Sequence, residues 1–176
     1  IVDASVDLFF KVLQDLKPIP AKSHYTFNLR DVSKIVQGVL MMKPTAIPNK
    51  ETLAKLWAHE SLRVFCDRLT DDSDRKYFGG VVIDSRKTQV KMGWSYEDLF
   101  ESEQKLVFAD YTKMGTPRED RKYEEVTDTT KLGQLFIDYL DEYNAENKEM
   151  RLVFFWDAIE HISRLCRVLR QPRGNA

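Results

Sequence analysis

Cysteine is scarce in this 176-residue chain, with only Cys66 and Cys166, far apart and both on helical patterns. A disulfide framework or a thiolate metal site needs more ligands or closer spacing, so two buried thiols of a reducing compartment are expected. Histidine is nearly as rare: His24, His59 and His161 share no ligand spacing and are expected to be structural. Seven glycines and six prolines, against 31% charged residues, exclude a low-complexity or disordered protein. Charge of either sign is also lacking in excess. A net charge of −1 makes no global field, so neither nucleic acid nor a membrane is expected as a partner. No apolar run reaches the ~20 residues of a membrane-spanning helix, and no secretory leader pattern opens the chain. Without an initiator Met before Ile1, and with a featureless Gly174-Asn175-Ala176 end, a piece cut from a longer polypeptide is expected.

Motifs of self-contained catalysis are missing too. The sequence holds no G-x-x-x-x-G-K-[ST], no G-x-G-x-x-G and no G-x-S-x-G. His59-Glu60 begins like a zinc-protease helix, but Arg63 stands where the second histidine must be. The pair is therefore expected on the outward face of a helix.

What the chain does have is apolar residues at helical spacing, within a 43% hydrophobic composition large enough for one domain or two small ones. Val2, Val6, Phe9, Leu13 and Leu16 predict a first helix, closed by Pro18 and Pro20. An ordered loop anchored by Tyr25 and Phe27 follows, then a helix from Asn28 toward Lys43-Pro44. Asn49 or Thr52 caps a long helix to about Leu69, apolar over a wide arc and hence central to a bundle. The polar Asp71–Asp74 break leads into a helix from Asp74 to about Lys87, locally weakened by Gly79-Gly80. Ser95 with Asp98 predicts a short helix, Leu106–Ala109 an extended segment, and Lys113–Lys122 a linker. Thr129 opens a helix carrying Leu132, Leu135, Phe136, Tyr139, Leu140 and Tyr143, which breaks at 144–149. The last helix carries Phe155, Ile159, Ile162, Cys166 and Leu169. The two parts are expected to meet near residues 95–105.

The most informative stretch is Ser23 to Leu40. Asn28 is a good N-cap that Asp31 can answer in a capping box. Leu29, Val32, Ile35, Val36, Val39 and Leu40 then make one apolar stripe. Arg30 falls in the first turn, where a cation opposes the helix dipole by about 0.3–1 kcal/mol, so an anionic partner is expected there. Arg63, Asp67 and Arg68 predict a charged helical face. Arg151, Arg164, Arg167, Arg170 and Arg173 make the C-terminal end basic, with no aromatic interleaving to support nucleic-acid binding. Arginines near a helix C-terminus also complement its dipole.

Three strings carry a family resemblance. Phe27-Asn28-Leu29-Arg30-Asp31-Val32-Ser33-Lys34 resembles the sensor-2 region in the lid of the third AAA+ module of dynein heavy chains. His59–Leu69 and Leu152–Arg164, running on to Arg170-Gln171-Pro172-Arg173-Gly174-Asn175-Ala176, fit the same family in the same order. In form the first and last are closer to axonemal than to cytoplasmic dyneins. The resemblance implies a mainly α fold: a small helical-bundle AAA+ lid over residues 1–95, then a mixed, mostly helical segment over 96–176 leading into the fourth module.

It also implies roles. Arg30 would be a nucleotide-sensing arginine, with Asn28 and Asp31 fixing the helix start that aims it. Arg63, Asp67 and Arg68 would meet a neighbouring module, and Val153, Phe154 and Phe155 would lie beside the adenine of the next one. The parent protein would be an ATPase motor using ATP or ADP with Mg. It would act on microtubules with intermediate and light chains as partners, in the cytoskeleton of a ciliary or flagellar axoneme. This chain alone, lacking both Walker motifs, would be inactive. An autonomous α-helical protein-interaction module is the alternative.

Overall fold

A computed structural model describes residues 1–89, 106–172 and 174. The predicted Ser95–Asp98 helix and the 95/96 boundary lie outside the described residues. The fold is mainly α, and the chain divides into two compact units, Ile1–Leu106 and Val107–Ala176.

Among its described residues the first unit holds four helices, α1 (Val2–Asp15), α2 (Leu29–Val39), α3 (Lys50–Phe65) and α4 (Asp72–Gln89). Three-residue 3-10 turns sit between them, at Pro20–Lys22, Pro44–Ala46 and Cys66–Arg68. Each start has a local cause. Asn28 caps α2 and Asn49 caps α3, its side chain accepting the Thr52 N–H at 2.8 Å. Asp72 and Asp74 place negative charge in the first turn of α4.

The long central helix behaves as its broad apolar arc demands. Every residue of α3 from Leu56 to Leu62 is buried, and Trp57 and Phe65 are fully enclosed. The Trp57 indole N–H satisfies itself on Ser5 Oγ of α1 at 2.9 Å. Aromatic rings continue the core from Phe27 to Phe65 (5.6 Å) and from Phe65 to Phe78 of α4 (5.8 Å). The helix α4 runs unbroken through Gly79-Gly80, because Phe78, Val81 and Val82 beside them are buried and packing outweighs propensity.

Three expectations fail here. His59 and Glu60 do not face outward: they are 5% and 0% exposed, with His59 Nδ1 3.1 Å from Glu60 Oε1. A helix covered on all sides has no outward face, and the two polar groups answer each other instead. On α1 the inward ridge is Ala4, Leu8, Val12 and Leu16 with Phe9, while Val2, Val6, Phe10 and Leu13 stay exposed. Both ridges are apolar, and small Ala4 and Ser5 let the helix approach Trp57 closely. The α2 stripe is also shorter than predicted. Ile35 is enclosed, but Leu29 and Leu40 at the two ends are 72% and 73% exposed.

The second unit holds a two-residue antiparallel pair, β1 (Phe108–Ala109) and β2 (Glu124–Glu125), with α5 (Thr129–Glu146) and α6 (Trp156–Arg170). The segment 113–122, expected as a linker, is the loop joining β1 to β2 inside this unit. It turns at Gly115, whose φ of +69° favours glycine. Asp128 caps α5 by accepting the Lys131 N–H at 3.0 Å. Leu132 and Phe136 then pack on Val107, Ala109, Tyr111 and Ile159. Neither Cys66 nor Cys166 is fully buried: both are half-buried free thiols.

Candidate nucleotide-sensing site at the start of the second helix

The site begins with a helix start that is specified twice. Asn28 Oδ1 accepts the Arg30 N–H at 2.8 Å, and the Asp31 carboxylate accepts the Asn28 N–H at 2.9 Å, closing the predicted capping box. A buried carboxylate needs more than one backbone donor. Arg68, in the turn that follows α3, supplies it: one terminal nitrogen lies 2.8 Å from Asp31 Oδ1, the other 3.4 Å from Oδ2. The same guanidinium donates to the Thr26 carbonyl at 3.2 Å and lies 5.3 Å from the centre of the Phe27 ring.

Arg30 itself is exposed, and its guanidinium makes no hydrogen bond or ion pair with the described residues. Its charge therefore stands free at the positive end of α2, beside the equally exposed Leu29. This arrangement can grip an anion brought from outside, and it leaves the arginine's whole fork of donors for that anion.

A second network fastens the loop that leads to the site. The Tyr25 hydroxyl accepts the Thr70 N–H at 3.0 Å and donates to Asp74 Oδ2 at 2.8 Å. Lys22 Nζ reaches Asp74 at 2.6 Å and Asp71 at 2.5 Å. Lys22 first, and the Tyr25 hydroxyl after it, hold the Asp74 carboxyl below the usual carboxylate range. Sequence reasoning took Tyr25 for an apolar anchor; its ring is buried as expected, but its hydroxyl is the hub.

The charges of Arg63, Asp67 and Arg68 are spent inside the unit. Arg63 pairs with Asp67 at 3.3 Å, and Arg68 with Asp31. The link from Arg68 to Asp31 spans 37 positions, beyond any periodicity signal.

In the second unit, Val153 and Phe155 are exposed while Phe154 turns inward, its ring 5.4 Å from that of Phe136. Leu152 is exposed as well, so Phe154 is the one half-buried residue of 151–155, and Phe155 enters α6 with extended backbone. The basic end is largely used structurally. Arg167 is buried, Arg164 pairs with Glu160, and Arg118 donates to the Leu169 carbonyl at 3.2 Å. Arg170 answers the Arg118 carbonyl and the Asp110 carboxylate, beside a cavity of about 450 Å³. At that cavity burial pushes the Cys166 thiol up, and the Asp110 charge adds to it, so the thiol stays protonated.

Residues 1–75 match the family model described as "Dynein heavy chain, ATPase lid domain". Over its full length the chain is 45% identical to dynein axonemal heavy chain 6 of Homo sapiens, of which it covers 4%. It is 38% identical, again over its full length, to dynein axonemal heavy chain 1 of Mus musculus, of which it covers 4%. Dynein axonemal heavy chain 12 of Homo sapiens is 37% identical over 100% of this chain, which covers 6% of that protein. The chain thus spans only a small fraction of the relatives it matches.

Proposed function

The chain belongs to the dynein heavy chain family, as the AAA+ lid region of an axonemal dynein, and from that premise we propose that it senses nucleotide through Arg30. Residues 1–95 would be the lid of the third AAA+ module, and 96–176 the connection to the fourth with its opening helices. The observation that carries this reading is the free Arg30 guanidinium on a helix start held by the Asn28–Asp31 box and by Arg68.

The physical argument is one of differential contact. A cation at a helix N-terminus costs about 0.3–1 kcal/mol until an anion arrives, and the terminal phosphate of ATP is an anion that ADP lacks. Arg30 would reach the phosphate of nucleotide held by the neighbouring large subdomain, where its planar fork suits phosphate oxygens. Bound nucleotide, with Mg, supplies the charge and the hydrolysable bond; this chain supplies the grip. Because only a ligand with different affinity for two lid positions can shift the balance between them, the Arg30 contact is what would link nucleotide state to lid position.

In the whole motor the lid would pass that change to the adjacent module. Val153, Phe154 and Phe155 would lie on the adenine side of that module, and the outer edge of Arg63, Asp67 and Arg68 would face a neighbour. The parent protein would be an ATP-driven motor on microtubules, working with intermediate and light chains in a ciliary or flagellar axoneme.

The test is Arg30→Ala in a full-length heavy chain carrying this segment, with the other nucleotide sites disabled. We expect the ATP half-saturation at the site the lid covers to rise by about tenfold, as one charge-assisted contact is lost, while ADP binding changes little. Equal loss for ATP and ADP would refute γ-phosphate sensing. An unchanged ATP titration would refute the site.

A further inference from the structure

We propose that Arg68 is a positioning residue for Arg30, setting the direction of its side chain from the turn after α3. The inference rests on the nucleotide-sensing reading above and names a residue that reading leaves to an outer contact.

The geometry points from Arg68 to the start of α2 through three separate contacts. Its fork spans both oxygens of Asp31, at 2.8 and 3.4 Å, one residue beyond Arg30. It bonds the Thr26 carbonyl at 3.2 Å, two residues before the cap. Its central carbon lies over the ring of Phe27, the residue that precedes the cap, 5.3 Å from the ring centre. Arg68 therefore holds the loop entering α2 and the first turn of that helix, with Arg30 between them. Its own backbone is held in turn, since the Arg68 carbonyl is 3.0 Å from His24 Nε2.

The Asp31 end explains why this matters for direction rather than for charge. Asp31 is 2% exposed, so its carboxylate cannot turn to water when Arg68 leaves. Lys34 Nζ, the other cation nearby, is 4.0 Å away on an exposed side chain and cannot replace a two-point fork. Without Arg68 the cheapest response is for the first turn of α2 to open, letting Asp31 reach solvent and carrying Arg30 off its line. A lysine at 68 would keep the charge but lose the two-point grip on the Asp31 carboxylate.

The experiment uses the same full-length heavy chain and the same ATP titration, on R68Q, R68K, R30A and the R30A/R68Q double variant. The expected result is that R68Q raises ATP half-saturation by about tenfold and R68K by at least about threefold, each leaving ADP binding unchanged. Because Arg68 acts through Arg30, R30A and R30A/R68Q should then agree within about twofold. A further loss in the double variant equal to that in the native background would overturn the inference, since a purely structural residue would give it. Native behaviour of R68K would also overturn it, and that variant keeps the test decisive if R68Q fails to fold. If R68Q and R68K are silent while R30A is not, Arg30 senses nucleotide without help from Arg68. If R30A is silent, the sensing reading falls and this assignment with it.

Discussion

Replacing Tyr25 with phenylalanine removes one oxygen from the first unit and leaves its ring packing in place. The lost hydroxyl donates to the Asp74 carboxylate at 2.8 Å and accepts the Thr70 N–H at 3.0 Å. A hydrogen bond to a charged acceptor contributes about 1.5–3 kcal/mol. Two features bring the expected cost down. Lys22 stays on Asp74 at 2.6 Å, so the carboxylate is not stranded, and Thr70 is exposed, so its N–H can turn to water. The net loss should be about 1–2 kcal/mol, or about 4–8 °C in Tm per kcal/mol for a unit of this size. Urea unfolding followed through Trp57, in a background with Trp94→Phe and Trp156→Phe, reads the first unit alone. In a D74N background the same substitution should cost about 1 kcal/mol less, because the charged acceptor is gone. A loss below about 0.3 kcal/mol, or equal losses in both backgrounds, would refute the assignment of the hydroxyl as a hub.

Three further outcomes are expected. Asp74 has its folded pKa depressed, so its contribution is present above the unfolded carboxylate value of about 3.9 and is lost as pH falls through the folded one. Urea midpoints of the first unit should therefore drop steeply below about pH 4, and K22M, which removes the largest cause of the depression, should flatten that drop. Glu60→Ala removes a fully buried carboxylate that lies 3.1 Å from His59 Nδ1 and should cost about 3–5 kcal/mol, measured by the same unfolding assay. Phe136→Ala, which empties the contact among Tyr111, Phe154 and α5, should destabilise the second unit by about 3–5 kcal/mol when followed through Trp156.

Local chemistry was legible in the sequence wherever partners lie within one turn of each other. Asn28 with Asp31 announces its helix by spacing alone, and of the two candidates Asn49 and Thr52 it is Asn49 that caps α3. The broad apolar arc of α3 identified it as central, but the consequence for His59 and Glu60 was missed, since a polar pair looks outward until every face is known to be covered. On α1 two apolar ridges compete, and periodicity cannot choose between Leu8 and Val6; the choice is made by Trp57, far along the chain. The candidate site divides the same way. Arg30 and its caps were visible because they are neighbours, whereas the pairing of Arg68 with Asp31 depends on two loops meeting in space. Tyr25 was recognised as an anchor by its ring, and nothing local told that its hydroxyl would join Thr70 and Asp74.

The Tyr25 junction also decides where the first unit can bend. It ties the connection before α2 to the connection between α3 and α4, and Lys22 doubles the knot through Asp71 and Asp74. Those crossings tie the loop before α2 to α4 and to the residues just before it. A perturbation at the start of α2 would therefore be felt at the start of α4, some 40 positions further along the chain.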